Sequence, residues 1–217
     1  MIRSITKAKD QEELKRLLNG LTRLFVAGCG TCATLTHTGG VEEVESMRLW
    51  LMENGKIVTS TTVIPVACDQ LSHEILEEHE KALKSADAIL VMSCAYGVQT
   101  LATQTGKMVI PALDTVFVGK ETAQGEFQEA CEQCGDCILG DTGGICPVTA
   151  CHKGLVNGPC GGTNHGKCEI DPDKDCAWTG IYLRLSELGK LDRMRRYQEP
   201  KNYNVEPKPG KIRLTSG

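Results

Sequence analysis

Twelve of the 217 residues are cysteines, and their spacing indicates thiolate chemistry with metals. Cys131, Cys134 and Cys137 form a C-x-x-C-x-x-C run, the spacing with which one short loop binds three corners of a 4Fe-4S cluster. Zinc sites also use C-x-x-C pairs and remain the alternative, but three cysteines at this spacing are commoner in iron sites. The run therefore predicts an iron-sulphur site.

Five further cysteines follow this run. Cys146 precedes Pro147, and a Cys-Pro pair also completes the cluster loops of bacterial ferredoxins, although the eight residues between Cys137 and Cys146 exceed the usual three. The other four are Cys151, Cys160, Cys168 and Cys176. The eight cysteines match two four-thiolate sites, and neighbouring glycines would let backbone N–H groups approach the sulphurs. The spacing leaves open which cysteines share a site.

A second set of four cysteines lies in the first half of the chain. Cys29 and Cys32 form a C-x-x-C immediately after a predicted strand, and Cys68 and Cys94 follow the next two predicted strands. The carboxyl ends of parallel strands share one edge of a sheet, where ligands bind in this architecture, so the four are expected to converge there. Four thiolates suit a 4Fe-4S cluster or a tetrahedral zinc ion. In the alternative interpretation, Cys68 and Cys94 are buried apolar residues and the C-x-x-C is a redox dithiol.

The same loop contains a weak dinucleotide-binding pattern. Gly28, Gly30 and Ala33 fit G-x-G-x-x-A after a strand, but the next helix begins too late, and Cys68 follows the second strand where an acidic residue is expected. The chain also shows no Ser-His-Asp order, paired carboxylates or P-loop. The sequence therefore predicts no catalytic apparatus of its own.

Alternating apolar and amphipathic segments must position the first cysteine set. Strands are predicted at 22–27, 56–66, 88–92 and 107–111, with helices at 8–19, 41–53, 71–85 and 99–106. This alternation predicts a small doubly wound parallel sheet of the flavodoxin or Rossmann-like kind, with right-handed crossovers. The fold class is therefore α/β, with a first domain over residues 1–118.

Residues 119–217 are predicted to form a Cys/Gly-rich, irregular metal-cluster domain, because 119–176 shows little hydrophobic periodicity and no clear strand. A helix is predicted over 177–189, and its apolar face should pack on something. That face contains Trp178, Ile181, Tyr182, Leu185 and Leu188. An extended basic tail follows, with Arg193, Arg195, Arg196, Lys201, Lys208, Lys211 and Arg213 among Pro200, Pro207 and Pro209.

Composition limits the function classes. The formal net charge of −4 provides no basic field for a phosphate backbone, and no nucleic-acid module stands out, so nucleic acid is not expected as a partner. No apolar run approaches the roughly 20 residues of a membrane-spanning helix. The charged beginning of the chain is unlike a signal peptide, so a cytoplasmic protein is expected, in which thiols stay reduced and disulfides are disfavoured.

The stretch from Cys131 to Tyr203 carries further motifs. It contains CEQCGDCILGDTGGICPVTACHKGLVNGPCGGTNHGKCEI, then CAWTGIYLRLSELGKLD and PKNY. With the earlier CGTCATLTHTGG, these segments resemble the small MetV-type iron-sulphur subunits of the methylenetetrahydrofolate reductases of acetogenic bacteria, over nearly the whole chain. The NGPCGG block, with GKCE and C-x-W downstream, is the specific part of this resemblance.

The resemblance implies a subunit without substrate chemistry of its own. Its partner would be the large subunit, a flavin-binding TIM-barrel protein that reduces methylenetetrahydrofolate in the methyl branch of the acetyl-CoA (Wood-Ljungdahl) pathway. This chain would hold two or three 4Fe-4S clusters, with all twelve cysteines as ligands, and relay electrons between that flavin and a further redox protein. Flavin would bind on the partner subunit only. The competing hypothesis is a structural scaffold with zinc in the same sites, docking the same partner through the 177–189 helix and the basic tail.

Overall fold

The computed structural model describes residues 3–199 and residue 210. The chain divides into two compact units, Met1–Gln128 and Glu129–Gly217. The boundary predicted between residues 118 and 119 falls inside a strand, Leu113–Ala123, so the first unit extends further along the chain than the sequence indicates. In the described part of the chain, no helix is both long enough and apolar enough to cross a membrane.

The first unit alternates strands and helices. Its elements are β1 Ser4–Ala8, α1 Gln11–Leu17, β2 Arg23–Cys29, α2 Cys32–Leu35, α3 Val41–Glu53, β3 Ile57–Ile64, α4 Ser72–Glu78, α5 Glu80–Ser85, β4 Ala88–Met92, α6 Ala95–Thr105, β5 Met108–Pro111, β6 Leu113–Ala123 and β7 Glu126–Glu129.

Four strands form a parallel sheet in the order β3-β2-β4-β5, which confirms the predicted α/β class. The chain steps outward from β2 to β3, then returns past β2 to β4, so the order reverses between β2 and β4. That reversal is the topological switch point at which doubly wound sheets bind their ligands. The sheet therefore places its natural binding edge beside the ends of β2 and β4.

The two central strands are held by burial on both faces. Phe25 and Val26 of β2 and Ile89 and Leu90 of β4 have no solvent exposure. Each such side chain contributes roughly 1.5–3 kcal/mol when it is removed from water. Continuous apolar runs of this kind are typical of parallel strands covered by helices on both faces. Burial of these side chains holds the ends of β2 and β4 in place.

A second sheet, antiparallel and ordered β1-β6-β7, was not predicted. The expectation of no strand after residue 119 is wrong, because β6 continues to Ala123 and β7 follows it. Ser4 pairs with Val118 and Ala8 with Leu113, so the sheet joins segments that are far apart in the sequence. Cross-strand pairing, and not local apolar periodicity, stabilises these strands.

The helix predicted over 71–85 is interrupted. α4 ends and α5 begins at His79, whose backbone leaves the helical region at φ −104° and ψ 15°. The His79 ring packs edge-on against Phe25, with 5.6 Å between the ring centroids. A contact with the buried strand β2 thus accompanies the break.

The second unit contains little regular structure. Its helices are α7 Pro147–Ala150 and α8 Ala177–Glu187, with a 3-10 helix at Leu191–Arg195. Trp178, Ile181 and Leu185 of α8 form a small core with Ile145 and Met194. The predicted apolar face therefore packs within its own unit.

The residues predicted for that apolar face differ in their solvent exposure. Tyr182 and Leu188 are about half exposed, at 50% and 48%. Trp178 is buried and its Nε1 donates to the carbonyl of Leu155 at 2.9 Å, so it is a core residue and not a docking anchor. The basic and proline residues predicted in the tail at 200, 201, 207, 208, 209, 211 and 213 lie outside the described residues.

Candidate metal centres

The first cysteine set lies at the carboxyl edge of the parallel sheet. Cys29 is the last residue of β2 and Cys32 is the first residue of α2. Cys68 lies in the turn after β3, and Cys94 is the N-cap of α6, two residues after β4 ends. Because β2 lies between β3 and β4, these positions border the switch point.

The Cys68 thiol is affected by the other three thiols of the first set. The pKa of the Cys68 thiol is raised, first by burial of the sulphur. Repulsion between thiolates raises it further, from Cys94, Cys29 and Cys32. The structure therefore brings the four predicted residues of the first set together, while their ligation of a metal stays a prediction.

Glycines allow the loop after α2 to cross the strand ends. A Cβ atom at Gly28 would lie 2.5 Å from the carbonyl oxygen of Gly39, and one at Gly30 would lie 3.1 Å from that of Pro65. The amide of Cys29 donates to the same Gly39 oxygen at 2.9 Å, and the amide of Gly30 donates to Ile64 at 2.8 Å. Close backbone packing thus accounts for the glycines that also fit the dinucleotide pattern.

The hydroxyls of three threonines contact one another beside this loop, and this network was not predicted from the sequence. Thr6 of β1 lies 2.6 Å from Thr38 and 3.3 Å from Thr36, measured between hydroxyl oxygens, and the latter two are 2.9 Å apart. Thr36 also donates to the carbonyl of Cys32 at 3.0 Å. The network links the antiparallel sheet to the C-x-x-C loop. The alternate threonines in CATLTHT were its only local signal.

A small cavity in the second unit is lined by four cysteines. They are Cys151, Cys160, Cys168 and Cys176, and the wall also includes Lys153, Glu169 and Trp178. Cys151 follows α7 and Cys176 is the N-cap of α8, so two of the thiols are fixed by helix ends. The other two lie on the connecting loop.

Cys176 has the environment of a stabilised thiolate. Burial raises the pKa of its thiol, but hydrogen bonds to the sulphur outweigh burial and leave the pKa below its usual value. The donors are the amides of Thr179 and Trp178 and the hydroxyls of Thr179 and Thr163. Thiolates at helix N-termini are good metal ligands because the amides stabilise the charge.

A charged pair borders the same cavity. Lys153 Nζ contacts Glu169 Oε1, and that oxygen lies 3.3 Å from the sulphur of Cys160. The pKa of Lys153 is raised, chiefly by its hydrogen bond to Glu169, whose own pKa is lowered by the same contact. The amide of Gly162 donates to the Cys160 sulphur at 3.4 Å. The Cys160 sulphur thus lies beside a carboxylate oxygen that is itself paired with Lys153, and it accepts one amide hydrogen bond.

The C-x-x-C-x-x-C loop lies near α7. The amide of Gln133 donates to the sulphur of Cys131 at 3.4 Å, with Gln133 at a positive φ of 54°. Thr149 of α7 donates to the carbonyl of Ala130 at 3.4 Å. Cys131 and Cys137 are exposed and Cys134 is half-buried, so the loop presents its thiols near the surface.

Within residues 3–199 and 210, no three Cys, His, Asp or Glu side chains are arranged as ligands of one metal ion. Thiol donors in sets of four, at the sheet edge and around the cavity, suit either a 4Fe-4S cluster, in which each thiolate binds a separate iron, or a tetrahedral zinc ion.

The structure therefore defines a doubly wound α/β unit with four thiols at its switch point, joined to a cysteine-rich unit. Residues 110–204 match the family described as "Methylene-tetrahydrofolate reductase C terminal". This segment is less than half of the chain but contains all eight later cysteines. No curated protein and no solved structure matches the chain significantly. The family match supports a role related to methylenetetrahydrofolate reductase.

Proposed function

We propose that this chain is an iron-sulphur electron-transfer subunit of a methylenetetrahydrofolate reductase complex, of the MetV type. Its 4Fe-4S clusters would number two or three, with the twelve cysteines as ligands. The observation that carries the proposal is the meeting of Cys29, Cys32, Cys68 and Cys94 at the switch point of the sheet.

A free dithiol enzyme explains less of this arrangement. Such an enzyme needs two thiols, one of them reactive and exposed, whereas here Cys29 is buried and three other thiols, those of Cys94, Cys29 and Cys32, all raise the pKa of Cys68. Four mutually repelling thiols are costly to deprotonate without a cation between them. A metal centre removes that cost, because a coordinating thiol is deprotonated outright.

Strand and helix ends hold several of these cysteines in place, and neighbouring hydroxyl and amide groups contact their sulphurs. Cys29 and Cys94 are held by β2 and by the N-terminus of α6, so their positions are set before any metal binds. The Thr31 hydroxyl lies 3.2 Å from the Cys29 sulphur. Amides of Gln133 and Gly162 reach sulphurs of the second unit. Such contacts to sulphur set the reduction potential of a bound cluster.

When bound, each cluster would carry one electron at a time, so the two electrons of a flavin would pass singly through this chain. The flavin would belong to a TIM-barrel large subunit, and a further redox protein would supply or receive the electrons. The family match at residues 110–204 supports that choice of partner. The folate reduction itself would take place on the large subunit.

The decisive measurement is the iron and acid-labile sulphide content of anaerobically purified protein, with the visible spectrum before and after dithionite. About eight or twelve iron and sulphide per chain, with bleaching on reduction, is the expected result for two or three clusters. Zinc without sulphide, in a colourless protein, would refute electron transfer and favour the scaffold hypothesis.

The partner is tested separately. Co-expression with a flavin-binding large subunit should give a stable complex in which reduced clusters pass electrons to the flavin, seen as loss of flavin absorbance. A complex that forms while its flavin stays oxidised would contradict the relay.

A further inference from the structure

The four cysteines that line the cavity of the second unit are drawn from three separate segments. Cys151 follows α7, Cys160 and Cys168 belong to the loop, and Cys176 begins α8. None of the remaining cysteines of this unit lines that cavity. The cavity therefore separates the eight cysteines into two groups of four.

Backbone contacts fix the cavity group. The amide of Cys176 donates to the carbonyl of Gly166 at 2.7 Å, and the amide of Cys168 donates to Lys174 at 2.9 Å. Cys151 and Cys176 also pack against the buried core of α8. These contacts hold both ends of the loop to one helix, so its thiols face a common space.

Of the other four cysteines, one lies at the opposite end of α7 from Cys151, and the remaining three follow a segment that contacts this helix. Cys146 is the N-cap of α7, whereas Cys151 is its C-cap. The hydrogen bond from Thr149 to Ala130 holds the chain just before Cys131 against α7. The C-x-x-C-x-x-C loop thus starts beside the helix that Cys146 caps.

We infer that Cys131, Cys134, Cys137 and Cys146 form one four-thiolate site, and that Cys151, Cys160, Cys168 and Cys176 form a second. The inference rests on the proposed function for the identity of the metal, but the grouping itself follows from the cavity and α7. It differs from the arrangement of two-cluster ferredoxins, in which the cysteine of the Cys-Pro pair ligates the other cluster.

The grouping is tested on the intact wild-type protein. Metal is removed stepwise by a chelator under anaerobic conditions, and the cysteines exposed at each step are alkylated and quantified by mass spectrometry. Cys151, Cys160, Cys168 and Cys176 should become reactive with one common rate, and the other four with another. Cys146 reacting together with the cavity group would overturn the inference.

Paired substitutions provide a second test. Cys151→Ala should remove about four iron atoms, and Cys151→Ala with Cys168→Ala should remove no more, because both act on one cluster. Cys151→Ala with Cys134→Ala should remove about eight. A loss of only about four in this last variant would place Cys134 and Cys151 in one site and refute the grouping.

The two hypotheses fail in different ways. If the wild-type protein contains zinc and no sulphide, the proposed electron transfer fails, yet chelation and alkylation still report which thiols are released together. If iron and sulphide are present but the reactivity groups differ, the electron-transfer proposal stands and the inference fails. The circular dichroism of each variant shows whether the first unit remains folded.

Discussion

A Cβ atom added at Gly39 would lie 2.0 Å from the carbonyl oxygen of Met92, so the loop before α3 touches the end of β4 through its backbone. That distance is far below any van der Waals contact, and the neighbour is backbone, which moves little. Gly39 is therefore part of the structure that holds Cys29 beside Cys94.

The first prediction is that Gly39→Ala destabilises the first unit by about 1–3 kcal/mol, the usual cost of overpacking. It should also lower the metal content of the Cys29 site, because the loop must move away from β4. Thermal unfolding and metal analysis measure both effects. Gly140→Ala is the control, since nothing lies within 4 Å of its added Cβ. Equal stability of the two variants would contradict the prediction.

The threonine network gives the second prediction. Thr6→Val removes the buried hydroxyl that contacts Thr38 and Thr36, and leaves their hydroxyls with fewer partners. We expect a loss of about 1–3 kcal/mol in denaturant unfolding, the cost of a buried polar group that loses its partner. Exposed Thr103→Val on α6 should change stability much less. A Thr6→Val protein as stable as wild type would show that the threonine network does not stabilise the fold.

Trp178 and Tyr182 give a third, paired prediction. Trp178→Ala empties the core of the second unit and should cost about 3–5 kcal/mol, with loss of metal from that unit. Tyr182→Ala changes a half-exposed side chain on the same helix and should cost far less. Metal content and denaturant unfolding of the two variants measure the difference. The opposite ranking would show that Trp178 faces a partner instead.

The fourth prediction concerns acid stability. The Asp87 carboxylate accepts the amides of Arg23 and Thr22 at 2.7 and 2.8 Å, and these bonds lower its pKa. A lowered pKa means that the stabilisation is full above the unfolded pKa, about 3.9, and is lost as the pH falls through the lower folded value. Asp87→Asn should therefore be less stable near neutral pH and show a flatter loss of stability in acid.

Unfolding midpoints between pH 3 and pH 7 test this expectation. Glu53→Gln, which removes an exposed carboxylate at the end of α3, serves as the control variant. If the stability of Asp87→Asn falls with decreasing pH as steeply as that of wild type, other carboxylates are responsible for the acid destabilisation.

Much of the parallel sheet was predictable because its signals are local. The apolar run Ala88–Met92 coincides with β4, and the Gly39-Gly40 pair correctly marked the start of α3 at Val41. From these strand ends alone, the proximity of Cys29, Cys32, Cys68 and Cys94 could be expected. The placement of these four cysteines at one sheet edge thus follows from fold class and strand order.

The remaining features depend on contacts between distant residues. Pairing of Ser4 with Val118 creates the antiparallel sheet, and the hydroxyl contact between Thr6 and Thr38 joins that sheet to the loop. Neither contact leaves a periodic signal in the sequence. In the second unit, glycine-rich loops lack periodicity altogether, so the common cavity of Cys151, Cys160, Cys168 and Cys176 could not be predicted from the sequence.

The shortness of α7 has a consequence for the timing of electron movement. Its four residues rise only about 6 Å along the axis, and a cysteine stands at each end. Two clusters bound at these cysteines, as we infer, would lie close enough to exchange electrons with each other directly. They would then behave as one two-electron reservoir, matched in capacity to the hydride that a flavin accepts or gives up.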